Sequence, residues 1–153
     1  MNKKWWISAT LIVMWMFMPW HVEAANFKDV PKQSPYYEGI DYLTERSIIS
    51  GHPDGTLRPN AYVTRGEAAK MIASTLEHHR YPLQVQQSSA LYYKDLSLNT
   101  WYYPYVVKLN AIGAMQGYRD NTFRLNDSIQ RDQFAKVVAT AFQLDPVYGD
   151  RYF

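Results

Sequence analysis

Two arginines lie 66 residues apart in matching surroundings, Arg65 in VTRGEAA and Arg131 in IQRDQFA. Each falls just inside what reads as the start of a helix. A guanidinium is a planar fork of donors that fits a carboxylate in two parallel hydrogen bonds. The exposed N–H groups and positive dipole end of a helix start already favour an anion. An arginine there is unfavourable to its own helix, so its recurrence points to a use beyond that helix. Two partners suit it: an acidic ligand, or a carboxylate of the neighbouring repeat.

The elements that carry these arginines are themselves duplicated. GHPDGTLRPNAYVTRGEAA over 51–69 aligns without a gap to GYRDNTFRLNDSIQRDQFA over 117–135, and residues 27–76 match 93–142 at 14 of 50 positions. The shared residues include Tyr36/Tyr102, Tyr37/Tyr103, Leu43/Leu109, Asp54/Asp120, Arg58/Arg124 and Asn60/Asn126. Substitutions at Val30/Leu96, Ile40/Val106 and Ile72/Val138 stay apolar. Each unit reads helix, loop, helix, so the fold class is all-α. In the first unit Tyr36, Ile40, Leu43 and Ile48 share one helical face, Pro35 starts the helix and Gly51 stops it. Asp29 and Asp95 suit N-terminal caps of the first helix in each unit. His52-Pro53-Asp54-Gly55 has the chemistry of a tight turn. Thr64 and Glu67 form a capping box for the second helix, whose buried stripe is Ala68, Ile72 and Leu76. In the second unit Gly55 becomes Asn121, which still tolerates a left-handed backbone. Thr64 and Glu67 become Gln130 and Gln133, so the box is lost.

The resulting division is a signal peptide over 1–24, module 1 over 27–76, a polar linker over 77–92, module 2 over 93–142 and a tail over 143–153. The leader has Lys3 and Lys4, an apolar run from Trp5 to Trp20 and the small-residue ending Val22-Glu23-Ala24. Its 16 residues fall short of the roughly 20 of a spanning helix; a retained anchor is the alternative. Removing it lowers the formal net charge from +2 to +1. So small a charge gives no field to hold nucleic acid. With no cysteine, neither a disulfide nor a thiolate metal site exists. His78 and His79 are adjacent and would diverge on a helix, which makes a poor metal pair. Were Asp54-Gly55 the middle of a calcium loop, its first, third and twelfth positions would be Ser50, His52 and Ala61, without the needed carboxylates. No nucleophile elbow, zinc-protease helix or phosphate-cradling loop appears, so the chain reads as non-catalytic and cofactor-free. Thirteen Tyr and five Trp suit a surface that meets flat amphipathic partners such as sugar rings.

The order F-K-D-V, helix, G-H-P-D-G-T-L-R-P-N, V-T-R-G-E-A-A resembles the S-layer homology module, well over 27–76 and less closely over 93–142. The resemblance implies a secreted, cell-surface protein of a Gram-positive bacterium. It would bind non-covalently to an acidic, pyruvylated secondary cell wall polysaccharide. It implies helical modules packed as a pseudo-threefold prism, incomplete here with two, with ligand in the grooves between them. On the matching positions, ligand binding falls to Arg65 and Arg131, with Trp101 as core or sugar-stacking aromatic and Asp54, Gly55 and Glu67 in lesser roles. Two modules leave apolar faces open, which calls for a homo-oligomer or a module-bearing partner.

Overall fold

The structure is a computed structural model that describes residues 27–81 and 93–144. The expected signal peptide lies outside the described residues, as do most of the linker and of the tail. Four helices occur in order, α1 Tyr37–Glu45, α2 Arg65–His78, α3 Tyr103–Ala111 and α4 Arg131–Ala141. No strand is present among the described residues, only an isolated antiparallel bridge between Thr64 and Ser128. The all-α expectation therefore holds, as two helix-loop-helix units.

The two units do not each build a core. A single cluster joins Ala69, Ile72, Ala73 and Leu76 of α2 to Val106 and Leu109 of α3, Val137 and Ala141 of α4, and Met115, Phe123 and Leu125 of the second loop. The second helix of unit 1 is thus the first wall of unit 2's core. Its stripe faces α3 and α4, and Tyr81 meets Phe142 edge to face at the far end. Helix α1, in contrast, buries none of its residues.

Local chemistry explains the helix ends. Thr64 and Glu67 form the expected capping box on α2, whereas Gln130 gives α4 no side-chain cap. The stop of α1 differs from expectation. The left-handed residue is Ser47, φ 56°, and Ile48 N–H donates to Leu43 O at 2.9 Å, a Schellman closure. Gly113 plays that part in unit 2, with Ala114 N–H on Leu109 O. Gly51 does other work. It lies against the Phe27 ring and Thr56 O, where a Cβ would collide.

Candidate ligand-binding groove

Each unit's loop is shaped by two aspartates. Asp29 accepts from the N–H groups of Leu57 and Arg58 at 2.8 and 2.7 Å, and Asp95 accepts from Phe123 and Arg124, both at 2.7 Å. They brace the loop 28 residues on, in place of the expected helix caps. Those braces hold Arg58 and Arg124 at φ 60° and 59°, a conformation uncommon for a residue with a side chain. Asp54 takes the N–H and hydroxyl of Thr56, and Asp120 those of Thr122. Arg58 and Arg124 then close on Asp54 and Asp120 at 2.8 Å. The threonine bonds foremost, then the arginines, hold Asp54 well below the usual carboxylate range and Asp120 at about 2. Asp120 in turn raises Arg124.

The braced second loop turns its carbonyls toward the start of α2. Arg65 N–H donates to Asp127 O and Gly66 N–H to Leu125 O, each at 2.9 Å. Two donors that a helix start leaves unpaired are satisfied across the joint between units. The Arg65 side chain runs into the same joint and is only 4% exposed. Its Nε donates to Phe123 O at 2.9 Å, Nη2 to Gln116 O at 2.9 Å and Nη1 to Gln133 Oε1 at 3.1 Å. The guanidinium also lies 4.9 Å from the Tyr118 ring centre and 5.1 Å from that of Phe123. Burial lowers its pKa below that of an exposed guanidinium. Arg65, expected at a ligand, fastens one unit to the other.

Beside this joint lies an open cavity of about 260 Å³, between Asp95, Thr100 and Tyr102 on one side and residues 124–127 on the other. The Tyr102 ring packs on Gly66, where a Cβ would stand 2.5 Å from it. Burial, and next the charge of Glu67, push the Tyr102 hydroxyl up. Trp101, 52% exposed, overlies Tyr102 with ring centres 3.6 Å apart. The Lys70 ammonium is 5.9 Å from the Trp101 ring, and burial lowers its pKa.

Three of the expected site residues, Arg65, Glu67 and Trp101, therefore meet around one joint. Asp54 and Gly55 sit in the first loop, where Lys28 donates to the carbonyls of both. Arg131 is exposed at the start of α4. Sequence reasoning does not place Lys70, Tyr102, Arg124 and Asn126 at the site. All four belong to identical pairs of the repeat, the signal that could have found them.

A family model described as S-layer homology domain matches residues 26–69 and 92–135. The chain is 30% identical over 120 residues to an S-layer protein of Bacillus thuringiensis subsp. finitimus, covering 78% of this chain and 14% of that protein. Identity is also 30%, over 78% of this chain and 14% of the relative, with S-layer protein sap of Bacillus anthracis. It is again 30% with the cellulosome-anchoring protein of Acetivibrio thermocellus, over 81% of this chain and 27% of that protein. The chain thus spans at most about a quarter of the length of these relatives.

Proposed function

The chain belongs to the S-layer homology domain family, and from that membership together with the groove beside the joint we propose that it is a non-catalytic module attaching a secreted protein to the cell wall. The relatives named as S-layer and cellulosome-anchoring proteins support surface attachment in a Gram-positive envelope. The ligand is an acidic secondary cell wall polysaccharide, with a pyruvyl carboxylate as its charged group. The observation that carries this reading is the open groove lined by Tyr102 and Arg124, with Trp101 lying on Tyr102 and the Lys70 ammonium near the Trp101 ring. Aromatic faces suit sugar rings, and the cations suit a carboxylate. Arg65 serves the groove by tying to α2 the loop that supplies residues 124–127 of its lining, with Glu67 completing the α2 start. Arg131 supplies an exposed cation at the start of α4, and Asp54 and Gly55 shape the first loop.

Cosedimentation with purified walls, beside walls stripped of secondary polymer by acid, tests the proposal. Binding should vanish on stripped walls. Trp101→Ala should weaken it about tenfold, the equivalent of about 1.4 kcal/mol from one stacked ring, and Lys70→Ala should weaken it most at low salt. Equal binding to stripped walls, or a folded Trp101→Ala chain that binds unchanged, would overturn the proposal.

A further inference from the structure

Residues related by the 66-residue offset have the same chemistry but different neighbours. Arg65 is buried and Arg131 exposed. Ala68 and Ala69 are fully buried, whereas Phe134 is 38% exposed and Ala135 is exposed. Val106 and Leu109 on α3 are fully buried, whereas Ile40 and Leu43 on α1 are only half-buried. The N–H groups of Arg65 and Gly66 reach Asp127 and Leu125 carbonyls; no described backbone carbonyl accepts from those of Arg131 and Asp132. The joint between units therefore has two unlike halves. One is an arginine face, the start of α2. The other is a receiving face, made by α3 and the second loop. The described residues hold one further copy of each: α4 presents an arginine face, and α1 with the first loop presents a receiving face.

We propose that these two open faces fit each other between copies of this chain, joining molecules head to tail. Applying the internal joint's contacts through the 66-residue offset names the partners. Arg131 would donate to the carbonyls of Leu57 and Ser50 of a second copy, the counterparts of Phe123 and Gln116. In place of Gln133 it meets the Glu67 carboxylate. Glu67 accepts both Thr64 bonds on Oε2, at 2.8 Å, and no described group donates to its Oε1. A charged acceptor there strengthens the bond relative to the internal amide. The N–H groups of Arg131 and Asp132 meet the carbonyls of Ala61 and Pro59. Phe134 and Val138 cover Ile40 and Leu43, which gives the amphipathic helix α1 an apolar partner. One position departs from the internal pattern: Asp132 stands where Gly66 makes room for Tyr102. Its counterpart Tyr36 is 71% exposed, so its ring is free to turn aside and offer its hydroxyl to the Asp132 carboxylate. Because the two faces differ, the contact is heterologous, and its closure into a ring or continuation into a chain depends on the rotation per step.

The test is sedimentation velocity on the chain as exported by a producing cell, from about 1 to about 200 μM, the range that resolves micromolar association. Mass should rise with concentration. Arg131→Glu breaks only the arginine face and Leu43→Asp only the receiving face; each should self-associate at least about tenfold more weakly. Mixed together, the two variants should form a complex of two chains that grows no further, since one intact face of each kind remains. Circular dichroism checks the fold, and Ile40→Lys replaces Leu43→Asp if the latter misfolds. A wild-type chain that stays monomeric, variants that associate like wild type, or a mixture that does not pair would overturn the proposal. So would a chain released to associate only by deleting residues 145–153, which would place that segment on the face.

Discussion

Replacing Arg65 by alanine should destabilise the fold far more than the same change at Arg131, although the two sit in matching sequence. Three acceptors lose their donor in Arg65→Ala: Phe123 O, Gln116 O and Gln133 Oε1. They do not lose equally. Gln116 is exposed and Gln133 half-buried, so water can replace the guanidinium there. Phe123 is fully buried, and a buried carbonyl left unpaired costs about 1–3 kcal/mol. Loss of the guanidinium from the Tyr118 and Phe123 rings adds about 0.5–1 kcal/mol. Relief of the buried charge offsets part of this, leaving a net loss of about 1–3 kcal/mol, against a typical total of about 5–15 kcal/mol. Arg131→Ala should fall within about 0.5 kcal/mol of wild type. Arg65→Lys should recover less than half, because one ammonium cannot reach three acceptors set in different directions. Urea unfolding followed by circular dichroism at dilute protein measures all three. An Arg65→Ala chain as stable as Arg131→Ala would refute the reasoning that this arginine fastens the units.

Two glycines should respond to alanine with opposite sign. Gly66→Ala puts a Cβ against the Tyr102 ring and should cost about 1–3 kcal/mol, while Gly39→Ala in α1, with nothing within 4 Å, should gain about 0.5–1 kcal/mol; thermal melts of both variants check the pair. Acid should loosen the loops in a defined window. Asp54 and Asp120 have folded pKa values below the ordinary aspartate value of about 4. The stability they contribute is thus fully present above about pH 4 and lost as pH falls toward about 2. Urea midpoints should be flat from neutral pH to about pH 5 and fall below it, with a shallower fall in Asp120→Asn; an unchanged slope in that variant would count against the Thr122 and Arg124 bonds as the cause.

The features legible in the sequence are chiefly local. The capping box at Thr64 and Glu67, the α2 stripe and the left-handed turn at Gly55 and Asn121 depend on residues within one turn or loop, and composition reports them directly. The misses are contacts over distance, or positions where a neighbour replaces a preference. Asp29 and Asp95 look like helix caps because they stand shortly before helices, yet their carboxylates serve a loop 28 residues later. The stop of α1 is hidden because the glycine of unit 2, Gly113, is Ser47 in unit 1, and the nearby Gly51 offers a more familiar signal.

Arg65 and Arg131 show a deeper limit, because here the same local text has two outcomes. A repeat specifies a unit, and a unit's faces are half of a joint. Whether an arginine at its helix start is a buried tether or an exposed cation depends on the element packed against it. Arg65 has unit 2 beyond it, so its fork closes on Phe123, Gln116 and Gln133. The same arrangement leaves α1 with an apolar face and no buried residue, a pattern that a solitary surface helix has no reason to keep. The groove depends on the joint in turn: Tyr102 can lie under Trp101 only because position 66 is a glycine and Arg65 holds α2 against the second loop. On the proposed function, ligand binding and the pairing of units are therefore coupled through one helix start. A change that opens the Arg65 joint should lower wall binding even when every groove residue is intact.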